Sequence, residues 1–315
     1  MKVVFSNNAP LIRFGLARGW ERLGHEAVVL DLWRHAPPVQ AAMLAEACRG
    51  AAAVFAEGDS GLHRETLFTT CVAQGIPLVY WAIEDPPFHE EISLLYVRHS
   101  AYVFTTAAEL VPAYAALGLP CSTMLFACDP EFHRRVPPEP RFAHDVVLVA
   151  SNYDSRYAAV RNVLLPLIEG GHDVKVWGQW WTDPGRALRI PPACWGGLLP
   201  YEHLPSVYSS AKIVLGLHCD GSSGTQTSMR TYEALGCGAF YLTQYTKAHA
   251  ALFVQGVHLE WTDSAAQTLA LARRYLAAAS AREAVALRGQ QLVYSAHTYV
   301  HRARQLERVV SMLPR

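Results

Sequence analysis

Short apolar runs alternate with helical stretches twice over in this chain, and that alternation limits the fold more than any other feature. Val3–Phe5 is a β-favouring run, a helical pattern from about Leu11 to Leu23 follows and stops at Gly24, and Ala27–Leu30 is a second apolar run. The order repeats with Ala52–Phe55, a helix over Gly61–Gln74 closed by Gly75, and Ile76–Trp81. Tyr102–Thr105 and a helix around Ala107–Leu117, stopped at Gly118, extend it. Continuous apolar strands separated by helices belong to a parallel sheet covered on both faces. A glycine just past a helix fits the left-handed C-cap.

Pro130, Pro137, Pro138 and Pro140 then crowd the stretch Pro130–Pro140. Proline at that density continues neither a helix nor a central strand, so the stretch reads as a linker. The rhythm restarts beyond it. Strands are expected at Asp145–Ala150, Val174–Trp177, Ile213–Leu217 and Ala239–Thr243, and helices over Asp154–Glu169 and Ser228–Leu235. A long helical region from Ala265 to about Leu313 closes the chain, with breaks near Gly289 and Ser295. The expected fold is α/β, two doubly wound Rossmann-like domains over residues 1–135 and 141–296, with 297–315 a terminal helix crossing back to the first. A length of 315 residues accommodates two domains. In such sheets ligands sit beyond the carboxyl ends of the strands, and two domains facing one another enclose a cleft.

Composition removes several classes. A hydrophobic share of 51% against 17% charged residues is that of a well-buried chain, not a disordered one. Lys+Arg and Asp+Glu both number 27, so no net charge grips nucleic acid and no nucleic-acid partner is expected. No apolar run approaches the roughly 18 residues that span a bilayer. The apolar start, Met1–Phe5, is too short for the core of a signal peptide. The seven cysteines are odd in number and scattered, which suits reduced thiols in a cytoplasmic protein. The first strand is followed by Ser6-Asn7-Asn8-Ala9-Pro10 with no G-x-G-x-x-G, which argues against a dinucleotide-binding dehydrogenase.

The segment Leu215–Thr243 carries the strongest chemical signal. A strand ends at His218, and a loop with Asp220, Gly221, Ser222, Ser223 and Gly224 leads to a helix near Ser228 that bears Arg230 and Glu233. Free backbone N–H groups at such a helix start suit a phosphate. Arg230, a cation in the first helical turn, runs against the helix dipole, a conflict that a bound diphosphate resolves. Glu233 lies three residues on, so the two share a helix face and can pair as a plain surface salt bridge.

The run Ser228-Met229-Arg230-Thr231-Tyr232-Glu233-Ala234-Leu235-Gly236-Cys237-Gly238 resembles the C-terminal domain of GT-B glycosyltransferases. It is most similar to the spore-maturation CgeB-like group, whose pattern is Arg-x-(Tyr/Phe)-Glu-Ala-x-(Ala/Gly)-x-Gly. The resemblance extends over most of the second half. Val147–Gly178 is similar to that domain's opening, a strand, an Asn-containing loop, an Arg-bearing helix and a strand ending in Trp-Gly. Tyr201–Leu217 is similar to its tyrosine … alanine-lysine-strand stretch. In the first half, Trp81-Ala82-Ile83-Glu84-Asp85-Pro86 is similar to the group's aromatic-x-x-acid-Asp-Pro motif.

The resemblance implies a GT-B fold and roles for individual residues. Glu233 matches the glutamate that accepts the donor ribose hydroxyls. Arg230 and the N–H groups of Ser228 and Met229 match the diphosphate contacts. Asn152 and Arg156 fall where further phosphate contacts lie, and Trp177, Gly178 and Tyr201 where the base stacks or slots. Many GT-B enzymes carry an Arg…Lys pair about five residues apart for the diphosphate. Here Arg156 and Arg161 stand in that helix without a lysine, and arginine can serve through bidentate contacts. The donor implied is a UDP- or TDP-sugar, as co-substrate, with no cofactor and no metal.

Glu84-Asp85-Pro86-Pro87-Phe88-His89 follows an apolar strand and so lies at its carboxyl end. Asp85 is the candidate general base for an acceptor hydroxyl, with Glu84 or His89 orienting it. His218 and Asp220 are candidates for the donor sugar or phosphate. With Cys219 they also invite a metal reading, which adjacent strand residues pointing to opposite faces disfavour. Asn7, Asn8 and Pro10, in the first strand-to-helix loop, are candidate acceptor contacts. The C-terminal region is locally basic, with Arg273, Arg274, Arg282, Arg288, Arg302, Arg304, Arg308 and Arg315, and solvated helix faces are the plain reading.

The expected function is glycosyl transfer from a nucleoside-diphosphate sugar to a hydroxyl-bearing acceptor. Two alternatives stand beside it, a non-catalytic nucleotide-sugar-binding module and a GT-B epimerase or phosphorylase. The residues leave open the base, the sugar, the acceptor, the anomeric outcome and the oligomeric state.

Overall fold

The structure, a computed structural model, describes residues 1–58, 63–219 and 221–314. Its backbone divides into two compact units. One comprises Met1–Ala127, Gly224–Gln226 and Thr298–Arg315, and the other Cys128–Ser223 and Thr227–His297.

The first unit is a six-stranded sheet of β1 (Lys2–Phe5), β2 (Glu26–Val29), β3 (Ala53–Glu57), β4 (Leu78–Ala82), β5 (Tyr102–Thr105) and β6 (Cys121–Thr123). The spatial order is β2-β1-β3-β4-β5-β6, and every pairing is parallel. Val4 pairs with Val28 on one side and Val54 on the other, so the apolar runs stack in register. β3 and β4 are buried along their whole length, while the edge strand β2 is half exposed. The core packs Val4, Val54, Leu67, Leu78 and Val103 with Tyr80 stacked on Tyr96 at 4.3 Å. Each large apolar side chain buried this way contributes about 1.5–3 kcal/mol.

Gly15 and Gly19 interrupt the first helical region for a packing reason. A Cβ on Gly15 would lie 2.5 Å from the Tyr299 ring, and one on Gly19 2.5 Å from the Tyr299 carbonyl. The helix Tyr299–Met312 lies against them, opened by Thr298 and His301 in a reciprocal capping box. Arg302 fixes it further, donating from Nε to the Leu125 carbonyl at 2.7 Å and from Nη2 to the Phe126 carbonyl at 3.0 Å. Arg302 is therefore buried, not solvated as the plain reading of the basic C-terminal region has it. Arg282 and Arg288 likewise donate to the carbonyls of Tyr275 and Val257.

The second unit is a five-stranded parallel sheet of β7 (Val146–Val149), β8 (Val174–Trp177), β9 (Ile213–Gly216), β10 (Tyr241–Gln244) and β11 (Glu260–Thr262), in the order β11-β10-β9-β7-β8. Its core joins Leu148, Val163, Trp181, Ile213, Leu242 and Tyr275. The proline-dense stretch is tied down here. The Val136 and Glu139 N–H groups donate to the hydroxyls of Ser209 and Ser210 on the helix Leu204–Ser210.

Two expectations change. Gly289 does not break the C-terminal helices, because the helix Ala279–Ala296 runs through it. A Cβ there would sit 2.3 Å from the His258 carbonyl, so the glycine serves close packing. The breaks fall at Ala278 and, next to the expected Ser295, at His297. The helix expected from Gly61 is described from Arg64 to Gln74, since residues 59–62 lie outside the described residues. It ends at Gly75 with φ +62°, the left-handed cap only glycine takes without strain. Among the described residues no helix is long and apolar enough to cross a membrane.

Candidate functional site

In a doubly wound sheet the strand order reverses at one point, and the crevice beyond the strand ends there is where ligands bind. In the second unit that point lies between β7 and β9. A cavity of about 220 Å³ opens there, lined by Ala150 and Ser151 after β7, Gly216 and Leu217 at the end of β9, Arg156, and Ser228, Met229 and Arg230 at the start of the helix Met229–Gly236. A Cβ on Gly216 would lie 2.0 Å from the Tyr241 hydroxyl, so only glycine fits this strand end.

The lining is rich in donors. Ser228 is the N-cap, its hydroxyl accepting the Arg230 N–H at 3.3 Å. The Ser228 N–H donates to His218 Nδ1 at 3.0 Å. That bond puts the ring hydrogen of neutral His218 on Nε2, which is buried and among the described residues has no hydrogen-bond partner. Burial first, then His249 and Arg156, pushes the His218 pKa well below the ordinary histidine value, so the ring is neutral near pH 7. Arg156 spends one arm on the Ser151 carbonyl at 2.9 Å and lies over the Tyr153 ring at 4.9 Å. Among the described residues its buried Nε has no hydrogen-bond partner. A buried donor without an acceptor costs about 1–3 kcal/mol, and an anion relieves that cost.

Arg230 is charged although burial opposes its charge, because Glu233 holds the guanidinium above its ordinary pKa. The Arg230 Nη1 donates to Glu233 Oε2. Glu233 is fully buried, which removes it from the class of surface salt bridges. Its Oε1 accepts from the Tyr201 hydroxyl at 2.5 Å. Tyr201 in turn lies 2.8 Å from His133 Nε2, and His133 Nδ1 accepts the Asp129 N–H at 2.9 Å. With Nδ1 accepting, the direction of the relay is fixed from His133 through Tyr201 to Glu233. His133 escapes sequence reasoning, since it sits in the proline-dense stretch 68 residues from Tyr201.

Trp177, Gly178 and Asn152 are tied into the surrounding backbone. Trp177 is buried against Phe142, and a Cβ on Gly196 would lie 2.4 Å from its Nε1. Gly178 has φ +138°, with room for a Cβ denied by the Ala150 carbonyl at 2.0 Å. Asn152 is buried and donates from Nδ2 to the carbonyls of Trp180 (3.2 Å) and Leu188 (2.7 Å), holding the loop after β8, while its Oδ1 has no partner. Met229 is half-buried at the cavity. Asp220 lies outside the described residues. Among the described residues no three His, Cys, Asp or Glu side chains gather as a metal site.

The first unit presents different groups at its strand ends. After β1, Asn7 is buried and its Oδ1 accepts the Ala9 N–H at 3.0 Å, an Asx turn, with Asn8 and Pro10 half-buried beside it. Glu57, at the end of β3, belongs to no motif, so sequence reasoning passes over it. Burial, with a smaller push from Glu84, raises its pKa to about 7 against a hydrogen bond from Asn7.

After β4, Asp85 is fully buried. Its Oδ1 accepts from Ser93 Oγ at 2.7 Å and faces His89 Nδ1 at 3.2 Å. Its Oδ2 accepts from Thr105 Oγ1 at 2.6 Å and the Tyr114 hydroxyl at 2.7 Å. A carboxylate has about four acceptor positions, and here all are used. The Asp85 carboxylate is thus held on every side by groups of its own unit. Glu84 is half-buried near Gly58.

A family model described as glycosyl transferase-like matches residues 156–308. No curated protein matches the chain by sequence. Among solved structures, Anabaena HepE in complex with UDP and glucose is 14% identical with a TM-score of 0.64, covering 99% of this chain and 100% of that one. T4 phage BGT in complex with UDP-glucose is 10% identical with a TM-score of 0.66 over 99% and 100% of the two chains. Sucrose-phosphate synthase from Thermosynechococcus elongatus is 11% identical with a TM-score of 0.63 over 98% of both. The fold is the two-domain, Rossmann-like GT-B fold of these glycosyltransferases.

Proposed function

We infer that this chain is a glycosyltransferase that moves a sugar from a nucleoside-diphosphate donor to a hydroxyl-bearing acceptor. The observation that carries this reading is the second-unit cavity. It joins two guanidiniums, a helix N-terminus and the buried unpartnered Nε of Arg156 at the switch point of a parallel sheet. Those groups offer a diphosphate cationic and N–H donors. The similar structures that hold UDP or UDP-glucose support a UDP-hexose as the donor. The Arg230-to-Gly238 run supports kinship with the CgeB-like group.

In this reading Arg156, Arg230 and the N–H groups at Ser228 and Met229 hold the diphosphate, and they stabilise the charge that grows on it as the glycosidic bond breaks. The reaction is proposed to run without metal, with the two guanidiniums and the helix N-terminus facing the diphosphate. Glu233, through its ion pair, aims Arg230. Asn7, Asn8 and Pro10 are proposed acceptor contacts on the first unit.

The test is release of nucleoside diphosphate from a panel of UDP- and TDP-sugars with hydroxyl acceptors present and EDTA added. Acceptor-dependent release from one donor is expected. Donor conversion without acceptor would mean an epimerase, dependence on orthophosphate a phosphorylase, and tight binding without turnover a binding module.

A further inference from the structure

We propose that His133 and Tyr201 are positioning residues for the donor diphosphate, acting on it through Glu233 and Arg230. The proposal rests on the glycosyltransferase reading above and deepens it. It gives the proline-dense stretch, which reads as a linker in sequence, a part in the donor site.

The four residues form one chain within the second unit. Arg230 is the member that lines the cavity. Its side chain is 26% exposed, against 0% for Glu233 and 1% for His133. A ligand in the cavity therefore meets the guanidinium, and the groups behind it act by setting where that guanidinium points. The two cavity arginines are held differently. Arg156 is tied to a loop carbonyl, that of Ser151, whereas Arg230 is tied to a buried carboxylate. A guanidinium fixed before its ligand arrives loses little freedom on binding it.

Every proton in the chain has one direction. The Asp129 N–H donates to His133 Nδ1 at 2.9 Å, so neutral His133 carries its hydrogen on Nε2. Nε2 donates to the Tyr201 oxygen at 2.8 Å. With that hydrogen arriving, Tyr201 gives its own to Glu233 Oε1 at 2.5 Å, and Arg230 Nη1 donates to Oε2. Each carboxylate oxygen thus receives a donor, which sets the carboxylate plane and with it the Arg230 fork.

Ring packing holds the same residues a second time. Phe132 stacks on Tyr201 with centroids 5.3 Å apart and planes 6° from parallel, and the Arg230 guanidinium lies over the Tyr201 ring at 5.6 Å. The Tyr294 hydroxyl lies 2.9 Å from the His133 carbonyl and 3.0 Å from the Gly236 carbonyl. It joins the proline-dense stretch to the end of the helix that carries Arg230 and Glu233. A Cβ on Gly236 would lie 3.1 Å from the His133 Cβ, so stretch and helix pack closely.

The experiment is a calorimetric titration of UDP into the full chain and four variants, with a thermal melt of each to report folding. His133→Asn keeps an acceptor for the Asp129 N–H and removes the donor to Tyr201. His133→Gln does the reverse, placing an amide N–H where Nε2 stood. His133→Asn and Tyr201→Phe are each expected to weaken UDP about three- to tenfold, and His133→Gln to stay within about twofold of wild type. The variant with both His133→Asn and Tyr201→Phe is expected to lose no more than the weaker-binding single variant, because both changes break one chain. A merely structural histidine would show the opposite order, with His133→Gln the damaged variant. That order, equal losses in the two histidine variants, wild-type affinity in His133→Asn, or additive losses in the double variant overturns this proposal alone. Absence of UDP binding by the wild type would overturn the donor reading and this proposal with it.

Discussion

The two units use one scaffold rule and opposite chemistry. Each is an all-parallel sheet whose order reverses beside its first strand, β1 in one and β7 in the other. At the strand ends of the first unit stand Glu57, Glu84 and Asp85, with His89 in front. At those of the second stand Arg156 and Arg230, with a helix N-terminus. The sheets explain why functional groups gather at those edges, and the residues just past each strand decide what the edge can hold. One edge is rich in carboxylates, the other in cationic donors.

The contrast can be broken by single substitutions. The largest effect is expected at the buried pair. Glu233→Ala leaves Arg230 without its partner, and breaking a buried pair costs about 3–5 kcal/mol. A fall in denaturation midpoint with an unchanged m-value would register it, and a loss under 1 kcal/mol would place the pair in solvent.

The next effect belongs to Glu57 and concerns pH. Its pKa in the folded protein, about 7, lies above the ordinary 4.5. The unfolded chain therefore releases this proton first, and stability present below pH 4.5 is lost as pH rises through 7. Each tenfold difference in proton affinity between the folded and unfolded chain is worth about 1.4 kcal/mol, so the loss is roughly 3 kcal/mol. Glu57→Gln should flatten that limb of the stability profile, and a variant curve parallel to wild type would contradict it.

Arg156→Ala comes third. It removes a charge-assisted contact worth about 1.5–3 kcal/mol, so UDP affinity should fall roughly tenfold to a hundredfold with little change in stability. The smallest effect is expected at Tyr201→Phe, which deletes one hydrogen bond to Glu233 and interrupts the relay from His133. A loss of about 1 kcal/mol in stability or donor affinity is expected, and one above 3 kcal/mol would give Tyr201 a direct place on the nucleotide.

Within each unit some strands are disclosed by the sequence and others are not. Four-residue apolar strands are legible to the residue, as at Tyr102–Thr105 and Val174–Trp177. The three-residue strands β6 and β11 are not, because Cys121-Ser122-Thr123 and Glu260-Trp261-Thr262 hold no apolar run and pair only through their neighbours. The helix Pro37–Cys48 is also hidden, since its apolar residues do not form a narrow stripe.

At the sites, Arg230 and Ser228 are legible because a helix start and its loop are local in sequence. Trp177 reads as a base platform in sequence, but exposure is a tertiary property and the ring is buried. Asp85 and His89 are legible together as neighbours past one strand. Sequence places both past β4, whereas only three dimensions bring Thr105 and Tyr114 onto the carboxylate and saturate it. His133 depends on a partner far along the chain, and Glu57 on its burial.

The central claim is that the strand edge of the second unit, not that of the first, is the diphosphate receptor. The most direct test is a calorimetric titration of UDP into wild type, Arg156→Ala and Glu57→Gln. The account predicts one site, weakened at least tenfold by Arg156→Ala and unchanged by Glu57→Gln. Equal affinity in wild type and Arg156→Ala, or loss of binding in Glu57→Gln alone, would contradict it.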